Sequence, residues 1–99
     1  MDKQSVRVVA RLTARPEKAA DLALVLQGLV APTRKEKGCV MYELLRNLSD
    51  PCDFVFVEEW TDNAALEAHF ATPHLQNALV QAKPLLGADS DIRKYSLVE

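Results

Sequence analysis

Residues 54–74 leave this chain few choices. Phe54-Val-Phe-Val-Glu-Glu-Trp60 alternates with a period of two and is rich in β-branched and aromatic residues, so the pattern predicts a strand over about 53–60. Asp62 then offers an N-cap, and Asn63-Ala-Ala-Leu-Glu-Ala-His-Phe70 runs at helical spacing, predicting a helix over about 63–71. Thr72-Pro73 restarts a helix, because proline is tolerated at a first helical position. That helix covers about 73–83, with Leu75, Ala78, Leu79 and Ala82 in its apolar stripe, and Pro84 ends it. The one Trp and both His of the chain fall inside this window, beside the adjacent carboxylates Glu58 and Glu59. Chemistry, if there is any, is expected here.

The remaining segments complete the fold class. Residues 5–14 alternate as a strand, with Val6, Val8, Ala10 and Leu12 on one side. Pro16 starts a helix whose stripe is Leu22, Val25, Leu26, Leu29 and Thr33. Pro32 removes a backbone donor within that pattern and should bend the helix near Gly28, and Gly38 stops it. A second strand covers 39–48, with Cys39, Met41, Glu43 and Leu45 on one face and Val40, Tyr42, Leu44, Arg46 and Leu48 on the other. Asn47-Leu-Ser-Asp-Pro51 is a turn, so this strand and 53–60 form an antiparallel hairpin. Residues 91–98 read as the last strand. The order βαββαβ is the ferredoxin-like, α+β arrangement: a four-stranded antiparallel sheet with helices on one face, in one domain over 1–99.

The strands are apolar on both faces: Phe54 and Phe56 oppose Val55 and Val57, and Met41 and Leu45 oppose Val40 and Leu44. Helices of one chain cover one face only, so a second copy is expected on the other, giving a homodimer. Twelve basic against fourteen acidic residues, with no long basic run, argue against nucleic acid. The apolar runs are too short for a bilayer, and Met-Asp-Lys-Gln-Ser lacks the apolar core of a signal peptide, so no membrane and a cytoplasmic location are expected. Cys39 and Cys52 fall at opposite ends of the hairpin, on the order of 30 Å apart, too far for a disulfide.

Among the candidate site residues, Glu58 and Trp60 share one side of their strand and Glu59 takes the other. His69, three after Leu66, turns toward the sheet near Trp60. A partly buried His near a carboxylate serves as a base near neutral pH, and equally as a core hydrogen-bonder. Trp60 is a core anchor or a cavity wall. His74 reads as an exposed helix-start residue, Tyr42 and Arg46 as interface residues, and Arg34-Lys-Glu-Lys37 as a solvated helix end. Dinucleotide, phosphate-loop and Cys/His metal motifs are absent, so neither metal nor cofactor is expected.

Two segments resemble a known family. Thr-Arg-Lys-Glu-Lys-Gly-Cys-Val-Met-Tyr-Glu (33–43) and Glu-Glu-Trp-Thr-Asp-Asn-Ala-Ala-Leu-Glu-Ala-His-Phe-Ala-Thr-Pro-His (58–74) are similar to the signatures of the antibiotic biosynthesis monooxygenase (ABM) domain, including bacterial quinol monooxygenase. The resemblance implies a dimeric α/β barrel and cofactor-independent oxygenation, by O2, of a small aromatic substrate: a quinol or a polycyclic phenolic or anthrone-like compound. It implies His69 as base or proton shuttle, Trp60 as cavity wall and Glu58 as the residue orienting His69 or a substrate hydroxyl. Tyr42, Phe54, Phe56, Phe70 and His74 are the implied substrate contacts. Haem-degrading relatives use an Asn on the first strand, and residues 5–14 contain none. The alternatives are an isomerase of a phosphorylated quorum-sensing sugar derivative, which shares the His-x-x-Thr-Pro-His segment, and a non-catalytic small-molecule-binding dimer.

Overall fold

In a computed structural model that describes residues 5–99, the strands β1 (Val6–Thr13), β2 (Cys39–Arg46), β3 (Asp53–Trp60) and β4 (Asp91–Tyr95) form one antiparallel sheet. Their order is β2-β3-β1-β4. Met1–Gln4, read above as part of the domain and of a segment without a signal-peptide core, lie outside the described residues. The helices are α1 (Ala19–Gln27), α2 (Val30–Arg34), α3 (Asn63–Phe70) and α4 (Pro73–Ala82). This is the ferredoxin-like α+β arrangement expected from the element order.

Local chemistry explains the breaks. The bend expected near Gly28 is a full interruption, with the break at Gly28-Leu29 between α1 and α2, and the start expected at Pro16 is a 3-10 turn over Pro16–Lys18 that leads into α1. Pro32 has no N–H to give to the Gly28 carbonyl, so the ladder fails there. Asp62 caps α3 by accepting from the Ala65 N–H at 2.8 Å. Thr72 caps α4, with Pro73 at its first position. β4 ends at Tyr95, short of the expected Val98, because Tyr95 already pairs with Arg7 near the start of β1 and the ladder runs out.

The core lies between the sheet and the helices. Val8, Ala10 and Leu12 of β1 and Phe54, Phe56, Glu58 and Trp60 of β3 face it, with Leu22, Leu26, Leu29 and Leu66 opposite. Leu79 is the exception in the α4 stripe, at 42% exposure. A bulge in β2 pairs Cys39 with Trp60 and Met41 with Glu59, leaving Val40 as the extra residue. Cys39 therefore joins the face of Tyr42, and the expected face of Cys39 with Met41 is corrected by that one-residue slip.

The outer face differs from a purely apolar one. Val9, Met41, Leu45, Val55 and Val57 lie on it, interleaved with Arg7, Arg11, Glu43, Glu59 and Arg93. Arg11 pairs with Asp53 at 2.8 Å and Arg7 with Glu59 at 3.4 Å. Cys39 and Cys52 are free thiols at opposite ends of the hairpin. Among the described residues, no helix is long and apolar enough to cross a membrane.

Candidate active site

A cavity of about 70 Å³ lies between the sheet and the helices. Its sheet wall is Ala10, Leu12, Tyr42, Phe56 and Glu58; its helix wall includes Leu26, Leu29, His69, Phe70, Leu75 and Ala78. Leu79, Ser90 and Ile92, at α4 and the start of β4, complete the lining, and Leu79 and Ile92 are partly open to solvent. The pleat explains which β3 residues appear, since every second one faces the helices.

Glu58 is 4% exposed and accepts a hydrogen bond from Trp60 Nε1 at 2.9 Å. Burial pushes its carboxyl up to about 7; the Trp60 hydrogen bond opposes this and the Glu36 charge adds to it. Tyr42, opposite Glu58 on β2, stacks on Phe56 at 4.7 Å. Burial, and then the Glu58 charge, push its phenol up, so it stays protonated.

His69 is 2% exposed. Its Nδ1 lies 2.8 Å from Glu36 Oε2, its ring packs 4.7 Å from Trp60, and its carbonyl accepts from the Thr72 hydroxyl at 2.8 Å. Burial pulls the imidazole below its usual range, and the bond to Glu36 pushes the other way. With Nδ1–H donating to a carboxylate, the lone pair is on Nε2. The site thus offers a neutral imidazole and a carboxyl titrating near neutrality on one apolar cavity, a pairing suited to proton transfer.

The expected residues separate. His69, Glu58, Tyr42, Phe56 and Phe70 meet at the cavity. Trp60 is fully buried behind Glu58 and His69 and does not line it, which corrects its place as a wall. Phe54 belongs to a different recess with Leu44 and Arg46, whose guanidinium lies 4.8 Å over its ring. His74, also absent from the cavity, bonds through Nε2 to Glu36 Oε2 at 2.6 Å instead of standing free at the helix start. The residue that orients His69 is Glu36, while Glu58 bonds Trp60.

Glu36 was the residue hidden in the expected solvated helix end. Gly38 brings it in: φ of 87° turns the chain back, and a Cβ there would lie 2.5 Å from Ala65 Cβ and 2.8 Å from Thr61 Oγ1. The Glu36-bearing turn can therefore sit directly on α3. Its signal in the sequence is the acid two residues before that glycine, within the 33–43 segment.

Glu36, His69 and His74 also form the one grouping of three ligand-type atoms among the described residues, all within 4.8 Å of one another. A metal bonded to all three at about 2.0–2.2 Å holds its ligand atoms about 3 Å or more apart. Here both nitrogens sit at hydrogen-bond distance from one oxygen, closer than that spacing, and the three groups are hydrogen-bonded through it.

Residues 5–81 match the family model described as antibiotic biosynthesis monooxygenase. The chain belongs to the ABM family. "Putative monooxygenase YcnE" of Bacillus subtilis is 33% identical over 90 residues, covering 91% of this chain and 95% of that protein. The crystal structure of PA3566 from Pseudomonas aeruginosa superposes on this ABM chain with a TM-score of 0.93 at 32% identity, covering 100% of this chain and 99% of that one. The uncharacterized protein sll1783 of Synechocystis is 28% identical over 92 residues, covering 93% of this chain. This ABM chain spans 63% of that protein's length, less than two thirds of it.

Proposed function

We propose that this ABM protein is a monooxygenase that uses O2 without a bound cofactor, on a quinol or a polycyclic phenolic or anthrone-like substrate. The observation that carries the reading is an apolar cavity onto which a buried carboxyl, Glu58, and a buried neutral imidazole, His69, both face. Family membership and the name of the Bacillus relative support the reaction class.

The cavity suits the chemistry such a substrate needs. His69 Nε2 takes a proton from a ring hydroxyl or activated methylene. Glu58, titrating near neutrality, donates to or accepts from a second substrate oxygen. The deprotonated ring is electron-rich and reduces O2 itself; one oxygen atom stays in the product and the other leaves as water, as when a ring methylene becomes a carbonyl. Apolar walls keep competing water away from the anion.

The phosphorylated-sugar isomerase reading is weaker here, because no Lys or Arg is among the lining residues. We further propose that the outer sheet face, with Val9, Val55 and Val57 at its centre, joins two copies into a homodimer. The experiment is oxygen uptake by the purified protein with a panel of quinols and anthrones and no added cofactor. Consumption of one O2 per product supports the proposal. No uptake with any of them leaves a binding protein and overturns it.

A further inference from the structure

A second recess lies on the far side of Glu36. It is a groove of about 280 Å³ along α1 and α4, lined by Leu24, Val25, Asn77, Gln81 and His74 among others. Glu36 stands between this groove and the cavity, with His69 on one side and His74 on the other. Each ring spends one nitrogen on the same carboxylate oxygen. Each has its other nitrogen outside that bond: Nε2 of His69, a residue of the cavity lining, and Nδ1 of His74, a residue of the groove lining.

The two rings lie 6.4 Å apart, centroid to centroid. One carboxylate balances one imidazolium; a second would leave net positive charge in a largely buried trio. We propose that His74 is a positioning residue that acts through Glu36: it carries the trio's proton while His69 is neutral, and releases it to the groove when His69 takes one from the substrate. One proton enters at His69 Nε2, one leaves at His74 Nδ1, and no electrons move. The charge of the trio is the same before and after, so the substrate's proton is accepted without building charge beside an apolar cavity. This rests on the reading of His69 as the base.

The other ionisable groups whose fields couple with Glu36 do not compete for this role. Burial holds the Cys39 thiol and the Tyr42 phenol in their neutral forms, and Glu58 faces the cavity, not the groove. The positive charge of His74 is itself among the influences that lower His69.

Ring-nitrogen NMR titration of the full chain tests the coupling with no substrate present. In the parent, the His69 curve should carry a second inflection where His74 titrates. Glu36→Gln should lower the His69 midpoint and His74→Gln should raise it, each by about one pH unit. Opposite shifts establish that the three charges are coupled, and the kcat of His74→Gln then separates a role in turnover from a merely structural network. Shifts of the same sign, no shift, or a His69 that stays neutral throughout would overturn the proposal. If a variant fails to fold, the parent's curve decides alone: a single-step His69 titration blind to His74 overturns it. On any substrate found by oxygen uptake, His74→Gln should lower kcat about tenfold at neutral pH with KM unchanged; an unchanged kcat also overturns it. Absence of oxygen uptake by the parent would instead fail the monooxygenase reading and leave the titration result standing.

Discussion

Glu58 is a carboxyl on an otherwise apolar strand face, and its burial has an energetic signature. Its folded pKa of about 7 lies above the ordinary 4.5. A raised carboxyl contributes stability below its unfolded pKa and loses it as pH rises through the folded value. Across that window the loss is about 3 kcal/mol. Glu58→Gln, which keeps an oxygen for the Trp60 N–H, should therefore match the parent's stability near pH 4 and exceed it at pH 8, because the parent's denaturant midpoint falls over that range and the variant's does not. His69→Ala should lower turnover about 10²- to 10⁴-fold while the circular dichroism stays native. The inward turn of His69 was legible from its spacing to Leu66, and the shared side of Glu58 and Trp60 from the pleat. Glu36 was not: its sequence neighbours are Lys35 and Lys37, which describe a wet helix end, and its partner His69 is 33 positions away. A contact that distant is set by how elements dock, which periodicity does not report.

At the scale of elements, the α2–β2 turn matters most, because it carries Glu36 to α3. Gly38→Ala would meet a left-handed φ of 87° and a Cβ overlap with Ala65 at once. The expected cost is about 2 kcal/mol or more, read as a lower melting midpoint. His69 should lose its carboxylate partner in the same variant, seen as a changed ring-nitrogen shift. The elements themselves were legible, since Asp62, Thr72-Pro73 and Gly38 are strong local punctuation. Boundaries were less so. The bulge at Val40 is one residue of slack between two strands, and the halt of β4 at Tyr95 depends on where β1 begins. Neither is written in the segment concerned.

For the whole molecule, the proposed association rests on the outer face. The row Glu43–Val57–Val9–Arg93 crosses the sheet with its apolar pair at the centre. Val57→Glu would place a second carboxylate beside Glu43 and desolvate it in any packed interface. Sedimentation should show the parent as a dimer at micromolar concentration and the variant as a monomer; a monomeric parent would sink the proposed assembly. The start of β4 has a different consequence. The cavity, at about 70 Å³, is smaller than the roughly 150 Å³ that takes up one benzene ring. Its lining includes Ser90 and Ile92, at the head of an edge strand that pairs with β1 alone and is exposed along its whole length, its Lys94 reaching Asn63 and Glu67 of α3. Under the proposed function, admission of a ring would require the lining at the head of β4 to give way, so entry would be set by local opening of that strand end rather than by a fixed aperture. A tighter β4 would slow entry without altering a single atom of the chemistry inside.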